Sequence, residues 1–184
     1  MGFTYRPVVR TRLMWTEIVL AGLIALATLG AFLTTVLPAG AYELAALPGY
    51  PPGTIVVSQR QRSLYLVVEN GEALRYPVAV GKMGKQWRGV VTVDGKYVAP
   101  AWAPPPEVKR AEPWLPDYIP GGSPSNPMGA RALTLSGDEY AIHGTNRPDS
   151  IGRAASFGCI RMHNRDIVDL FDRVAVGTPV VMLQ

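Results

Sequence analysis

Ala155-Ser156-Phe157-Gly158-Cys159-Ile160-Arg161-Met162 holds the only cysteine of the 184-residue chain, and His143-Gly144 lies sixteen positions before that cysteine. A single thiol forms no intramolecular disulfide, so it is a buried apolar filler, an intermolecular bridge or a reactive nucleophile. Nucleophilic chemistry needs a base for the thiol proton and donors for the charge that develops on an attacked carbonyl oxygen. The chain offers two histidines, His143 and His163. His163 stands just before a predicted helix start and reads as structural or solvent-facing. His143 is the better base: the glycine after it lets the backbone fold closely, so that a main-chain carbonyl can fix the imidazole tautomer. Gly158, immediately before the cysteine, likewise lets the backbone aim amide donors at an oxyanion.

Upstream, Arg6, Arg10 and Arg12 precede an uncharged run from Ile18 to Leu37, which meets Pro38-Ala39-Gly40-Ala41. A positive segment, an apolar stretch and a small-x-small ending are the features of a secretory signal, here with Tyr42 as the mature N-terminus. The twenty-residue run is also long enough to cross a bilayer, so residues 1–41 read as a signal peptide or an uncleaved anchor. Either outcome puts the remainder beyond the membrane, in the periplasm or cell envelope. Without residues 1–41 there remain fifteen basic and thirteen acidic residues, a net charge of +2. No dense Lys/Arg tract follows, so nucleic-acid binding lacks its electrostatic footprint. One cysteine and two histidines have no paired metal-ligand spacing, and neither a metal nor another cofactor is expected.

The remaining length suits one domain. Residues 42–52 read as a leader, and 53–184 as the folded unit. Thr54–Val57, Ser63–Val68 and Ala73–Val80 read as strands, the last two joined by an Asn70-Gly71 turn. Val90–Val93 and Lys96–Ala99 flank Asp94-Gly95 in the same manner and predict a second hairpin. Nine prolines between Pro100 and Pro127 argue against regular helix or central strand there, leaving a surface loop or a lid over a cleft. Leu133–Leu135 and Glu139–Ile142 are short strands, so that His143 falls where a strand gives way to a loop. Asn164 is a candidate cap for a helix over Arg165–Val174, whose apolar side is Ile167, Val168, Leu170, Phe171 and Val174. Gly177 ends it, and Thr178–Leu183 is a final strand. The class is mainly β: a sandwich or partly closed barrel with one or two short helices, preceded by an apolar signal or anchor helix.

His143-Gly144-Thr145-Asn146, Ser150-Ile151-Gly152, Ser156 to Met162 and Asn164-Arg165-Asp166, in that order, resemble the active-site segment of the YkuD-type L,D-transpeptidases. Val80-Gly81-Lys82 and Asn126 to Leu133 extend the likeness over about Gly53 to Val181. The resemblance implies that Cys159 attacks the peptide bond after the L-centre of diaminopimelate in a peptidoglycan tetrapeptide stem and releases D-alanine. The resulting thioester then passes to an amine of a second stem or of a lipoprotein. It makes His143 the general base and acid, Gly144 the source of an orienting carbonyl, and amides near Gly158 and Cys159 the oxyanion donors. Ser156, Phe157 and Arg161 join the substrate-binding set, Arg161 as a holder of a substrate carboxylate or of the cysteine loop. Many relatives have histidine where Phe157 stands, and the expected consequence is altered packing or substrate contact with activity retained. Two other readings stay open: a hydrolase on the same fold, acting on stems or lipoprotein attachments, and a non-catalytic wall-binding domain.

Overall fold

The structure, a computed structural model, describes residues 42–137 and 140–184. The predicted signal or anchor, 1–41, lies outside the described residues, as does the start of the strand predicted from Glu139. Ten strands and two α-helices are present among the described residues, with single 3-10 turns at Glu69–Gly71 and Pro148–Ser150. The strands are β1 Glu43–Ala46, β2 Ile55–Ser58, β3 Ser63–Val67, β4 Glu72–Gly81, β5 Gly89–Val98, β6 Arg131–Leu135, β7 Ala141–His143, β8 Ala154–Ser156, β9 Ile160–Met162 and β10 Pro179–Leu183. The helices are α1 Pro106–Ala111 and α2 Asn164–Arg173.

Strand order runs β1-β4-β3-β2-β10-β5-β6-β7-β9, and β9 pairs again with β4. The expected sandwich or partly closed barrel is therefore a closed ring of eight strands, to which β1 and β8 attach along β4. The ten-residue β4 makes closure possible: Ala73–Pro77 pairs with β3, whereas Val78 and Ala79 pair with Met162 and Arg161 of β9. Closure removes the exposed edges that an open sheet would leave for aggregation. β2 and β3 are buried on both faces, which explains their continuous apolar runs. Ile55, Val57, Leu64 and Leu66 face the main core, and Val56, Tyr65 and Val67 face a smaller cluster covered by Ala45, Leu47 and Tyr50. The segment 42–52 is consequently no free leader: β1 pairs with β4, and its apolar residues cover a face that Tyr65 would otherwise expose.

The Asn70-Gly71 turn is present, with φ of 61° and 73°, the left-handed values that these two residues tolerate best. The second predicted hairpin is absent. Gly89–Val98 is one strand, and Asp94-Gly95 forms a bulge opposite β6, where a Cβ on Gly95 would lie 2.6 Å from Thr134 Oγ1. A two-residue turn signal and a bulge share the same composition, and pairing with β6 on one side and β10 on the other selected the bulge.

Helix α1 contradicts the expectation of no regular helix between residues 100 and 127. It begins at Pro106, where proline's fixed φ and missing N–H cost nothing at the first helical position. Helix α2 packs Ile167 and Leu170 into the core against β6 and β7. Its last carbonyls, Phe171 O and Val174 O, accept from Lys96 Nζ of β5 at 2.6 and 2.5 Å.

Candidate functional site

Strand register assembles the site. β7 and β9 are parallel, with Ile142 beside Ile160 and His143 beside Arg161. Successive side chains in a strand point to opposite faces. Ile142 and Ile160 are fully buried in the core, so His143 and Arg161 take the other face, and Cys159, one residue before β9, shares it. Residues sixteen apart in sequence thus become neighbours on two adjoining strands. His143, Cys159 and Arg161 line one cavity of about 270 Å³.

The opposite wall comes from the proline-rich segment: Trp102, Pro105, Val108, Glu112, Leu115 and Ile119. Its neck is fastened by the Trp102–Ile119 bridge and by the buried Asn126, whose Nδ2 donates to the carbonyls of Pro100, Ile119 and Pro120 at 2.9, 3.3 and 3.1 Å. Asn126 Oδ1 accepts from the Met128 amide at 2.8 Å. Within the segment, Lys109 pairs with Asp117 at 2.7 Å, and Lys85 on the β4–β5 connection pairs with Glu107. These contacts shape prolines and loop residues into an ordered wall.

His143 is 4% exposed, and its Nδ1 lies 2.6 Å from Gly144 O. A carbonyl only accepts, so Nδ1 carries the proton and Nε2 is left as the basic nitrogen. Burial first and the neighbouring Arg161 charge second bring the imidazole pKa down to about 4, against upward pulls from the Gly144 and Pro127 carbonyls. Burial also raises the Cys159 thiol, while the Ala141 amide and Arg161 oppose that rise. The resting pair at neutral pH is therefore imidazole and thiol, both uncharged. No hydrogen bond joins Sγ to the His143 ring among the described residues.

The cysteine loop is held from three sides. Ser156 Oγ donates to Cys159 O at 2.5 Å and accepts from the Gly158 amide at 3.1 Å. Trp87 Nε1 donates to Gly158 O at 3.1 Å, and the indole stacks on Tyr140 with centroids 5.4 Å apart. Gly158 has φ +124°, and a Cβ there would fall 2.3 Å from the Tyr140 ring. Glycine is required by both the conformation and the aromatic neighbour. One expectation is corrected: the Gly158 amide is occupied by Ser156 and is not a free oxyanion donor, whereas the Cys159 amide has no protein acceptor among the described residues. Phe157 borders the cavity and a second depression that Cys159 also lines, and Lys82 Nζ lies 3.5 Å from its ring centroid, a cation–π contact.

Asn164 does not cap α2. His163 occupies the cap position without a side-chain bond, and Asn164 instead reaches across to the loop after β7. Its Oδ1 accepts from the amides of Ala130 and Thr145 at 3.0 and 3.1 Å, and its Nδ2 donates to Thr145 O at 3.1 Å. Gly129 and Gly144 are compressed against the same oxygen, where a Cβ on either would come within 2.2 Å. Asn164 therefore fixes the peptide whose carbonyl orients His143. Asn164→Ala is expected to cut kcat roughly 10- to 100-fold with KM little changed, and Asn164→Asp to restore only part, since Asp lacks the donor to Thr145 O. Steady-state kinetics beside thermal denaturation check this: loss of kcat without a matching loss of folded protein is the expected result.

Trp87, Tyr140, Glu112 and Arg147 went unread at the sequence level. Arg147 follows His143 by four positions and lines the cavity rim; the others carry no local signal, since only the closed ring and the folded wall bring them near Cys159.

Residues 52–182 match the L,D-transpeptidase catalytic domain model of the YkuD family. The chain is 41% identical over 139 residues to a probable L,D-transpeptidase, ErfK/SrfK, of Escherichia coli K12, covering 70% of this chain and 43% of that protein. It is 38% identical over 141 residues to a putative L,D-transpeptidase, YqjB, of Bacillus subtilis, covering 74% of this chain and 73% of that one. The chain thus matches less than half of the first relative's length and about three quarters of the second's. An L,D-transpeptidase from Mycobacterium smegmatis superposes with a TM-score of 0.57 at 18% identity, covering 71% of this chain and 58% of that one, a likeness of fold alone.

Proposed function

The chain belongs to the YkuD family of L,D-transpeptidase catalytic domains, and from that premise we propose that it transfers peptidoglycan stem peptides through a thioester on Cys159, on the envelope side of the membrane. The observation that carries this reading is the cavity lined together by Cys159, by His143 with Nδ1 tied to Gly144 O, and by Arg161. Sγ attacks the carbonyl of the diaminopimelate–D-alanine bond while Nε2 of His143 takes the thiol proton. Oxyanion charge falls near the Cys159 amide. The imidazolium returns its proton to the departing amine, releasing D-alanine and leaving the acyl group on sulfur. An acceptor amine then attacks, loses its proton to His143 and restores the thiol.

Neutral resting groups suit this cycle, because a low-pKa imidazolium is a strong acid for the leaving amine. Phe157, in place of the histidine common in relatives, leaves the base unchanged, because His143 is the histidine tied to the orienting carbonyl.

The test is incubation of the protein with disaccharide-tetrapeptide, following D-alanine and products by mass spectrometry. Release of D-alanine with a cross-linked dimer supports transfer; shortened monomer alone supports the hydrolase reading; no Cys159-dependent change sinks both. A purified lipoprotein lysine peptide, offered as a competing amine, separates stem cross-linking from lipoprotein attachment.

A further inference from the structure

The cavity beside Cys159 is lined by charges of both signs. Arg161 stands on β9, Arg147 at the rim after β7, and Glu112 on the opposite wall. Neither guanidinium makes a salt bridge, and Glu112 has no ion-pair partner among the described residues. The other acidic and basic groups of the wall are paired: Glu107 with Lys85 and Lys109 with Asp117. Only Arg110, which faces the second depression, is also unpaired.

Glu112 is placed firmly. Its amide donates to Val108 O at 2.8 Å, ending α1, and its carbonyl accepts from the Leu115 amide at 3.2 Å. The backbone, not the carboxylate, makes these bonds, so the side chain is left to the cavity. Its charge acts across the cavity on Arg161, as does that of exposed Asp149, while Arg147 repels it. Glu112 and Arg161, both half-buried, and the exposed Arg147 share one cavity without neutralising one another by contact. An occupant of complementary charge would find a partner in each, through charge-assisted hydrogen bonds.

From this we infer that Glu112 is a specificity-determining residue that binds an ammonium group of the substrate, while Arg161 and Arg147 take two carboxylates. The set of two guanidiniums and one carboxylate is complementary to a peptide end bearing two carboxylates and one ammonium. This deepens the proposed function and rests on it for the identity of the peptide: a stem ending in diaminopimelate and D-alanine offers the terminal carboxylate, the side-chain carboxylate and the side-chain ammonium. A stem whose third residue lacks the amine would leave the Glu112 carboxylate facing two guanidiniums and no cation. Hydrogen bonds to charged groups contribute about 1.5–3 kcal/mol, so the amine should be worth roughly 10- to 100-fold in affinity.

The experiment measures binding to the full chain carrying Cys159→Ala, by calorimetry, with two synthetic tetrapeptide stems: one with the free diaminopimelate side-chain amine and one with hydrogen in its place. The expected result is tighter binding of the amine-bearing stem by about tenfold or more. Adding Glu112→Gln should bring the ratio close to one by weakening the amine-bearing stem alone, and Glu107→Gln should leave the ratio intact. Equal binding of the two stems before the Glu112 change, equal weakening of both by Glu112→Gln, or no binding of either overturns the inference. Because the readout is binding without turnover, failure of acyl transfer in the unaltered protein would sink the proposed reaction while leaving this ratio to stand or fall separately.

Discussion

Cys159→Ala is expected to lower D-alanine release and cross-linking by about 10⁴-fold or more, with the folded protein retained. Removal of a nucleophile eliminates the covalent route outright, and what remains is catalysis by positioning and by oxyanion donors. The loop does not depend on sulfur for its shape. Ser156, Trp87 and the Gly158–Tyr140 contact hold it through backbone atoms, so alanine keeps the same path. Thermal denaturation should therefore move by only a few degrees, as suits about 1 kcal/mol in a domain of this size. The measurement that decides is a pair: product formation by mass spectrometry and melting by circular dichroism. Residual transfer above about one part in a hundred in Cys159→Ala would remove the thioester from the mechanism.

His143→Gln is the second large effect, expected to reduce acylation about 10³-fold and to change its pH dependence. The imidazole pKa is held near 4, below its ordinary 6.5, chiefly by burial. The acid limb of kcat/KM for the unaltered protein should accordingly fall near pH 4 and not near 6.5, since only the neutral ring accepts the thiol proton. Stability follows the same group with a definite sign. Between pH 6.5 and 4 the unfolded chain protonates this histidine and the folded one does not, so the unfolded state binds more protons and stability falls as pH falls through that window. Above 6.5 both states are neutral at this position and the contribution is level. His143→Gln should remove this part of the pH dependence of melting. An activity profile with its acid limb at 6.5 would contradict a buried, neutral base.

How much of this was legible beforehand differs from element to element. Alternating and β-branched runs identified β2, β3, β4, β6 and β10 to within a few residues, because burial of one or both sheet faces leaves a local record in residue type. Asn70-Gly71 announced its turn for a local reason too, the left-handed backbone. Asp94-Gly95 misled, since the same dipeptide serves a turn or a bulge and only the partners on either side of β5 distinguish them. Pro106 misled in the other direction: proline opposes helix interiors but suits a first position. Asn164 has the composition of a cap, yet its amide serves Ala130 and Thr145, because the close approach of Gly129 and Gly144 offers three backbone partners in one place.

The residues alone singled out one thiol and one glycine-flanked imidazole as the candidates for chemistry, since the chain offers a lone cysteine and only two histidines. They also determined a β-rich domain, through the spacing of apolar side chains. Only the tertiary structure decided that the sheet closes, that parallel register sets His143 beside Arg161 with Cys159 on the same face, and that burial leaves both reactive groups neutral at rest. Register, closure and burial depend on contacts between residues far apart in the chain, and a sequence records such contacts at neither partner by itself.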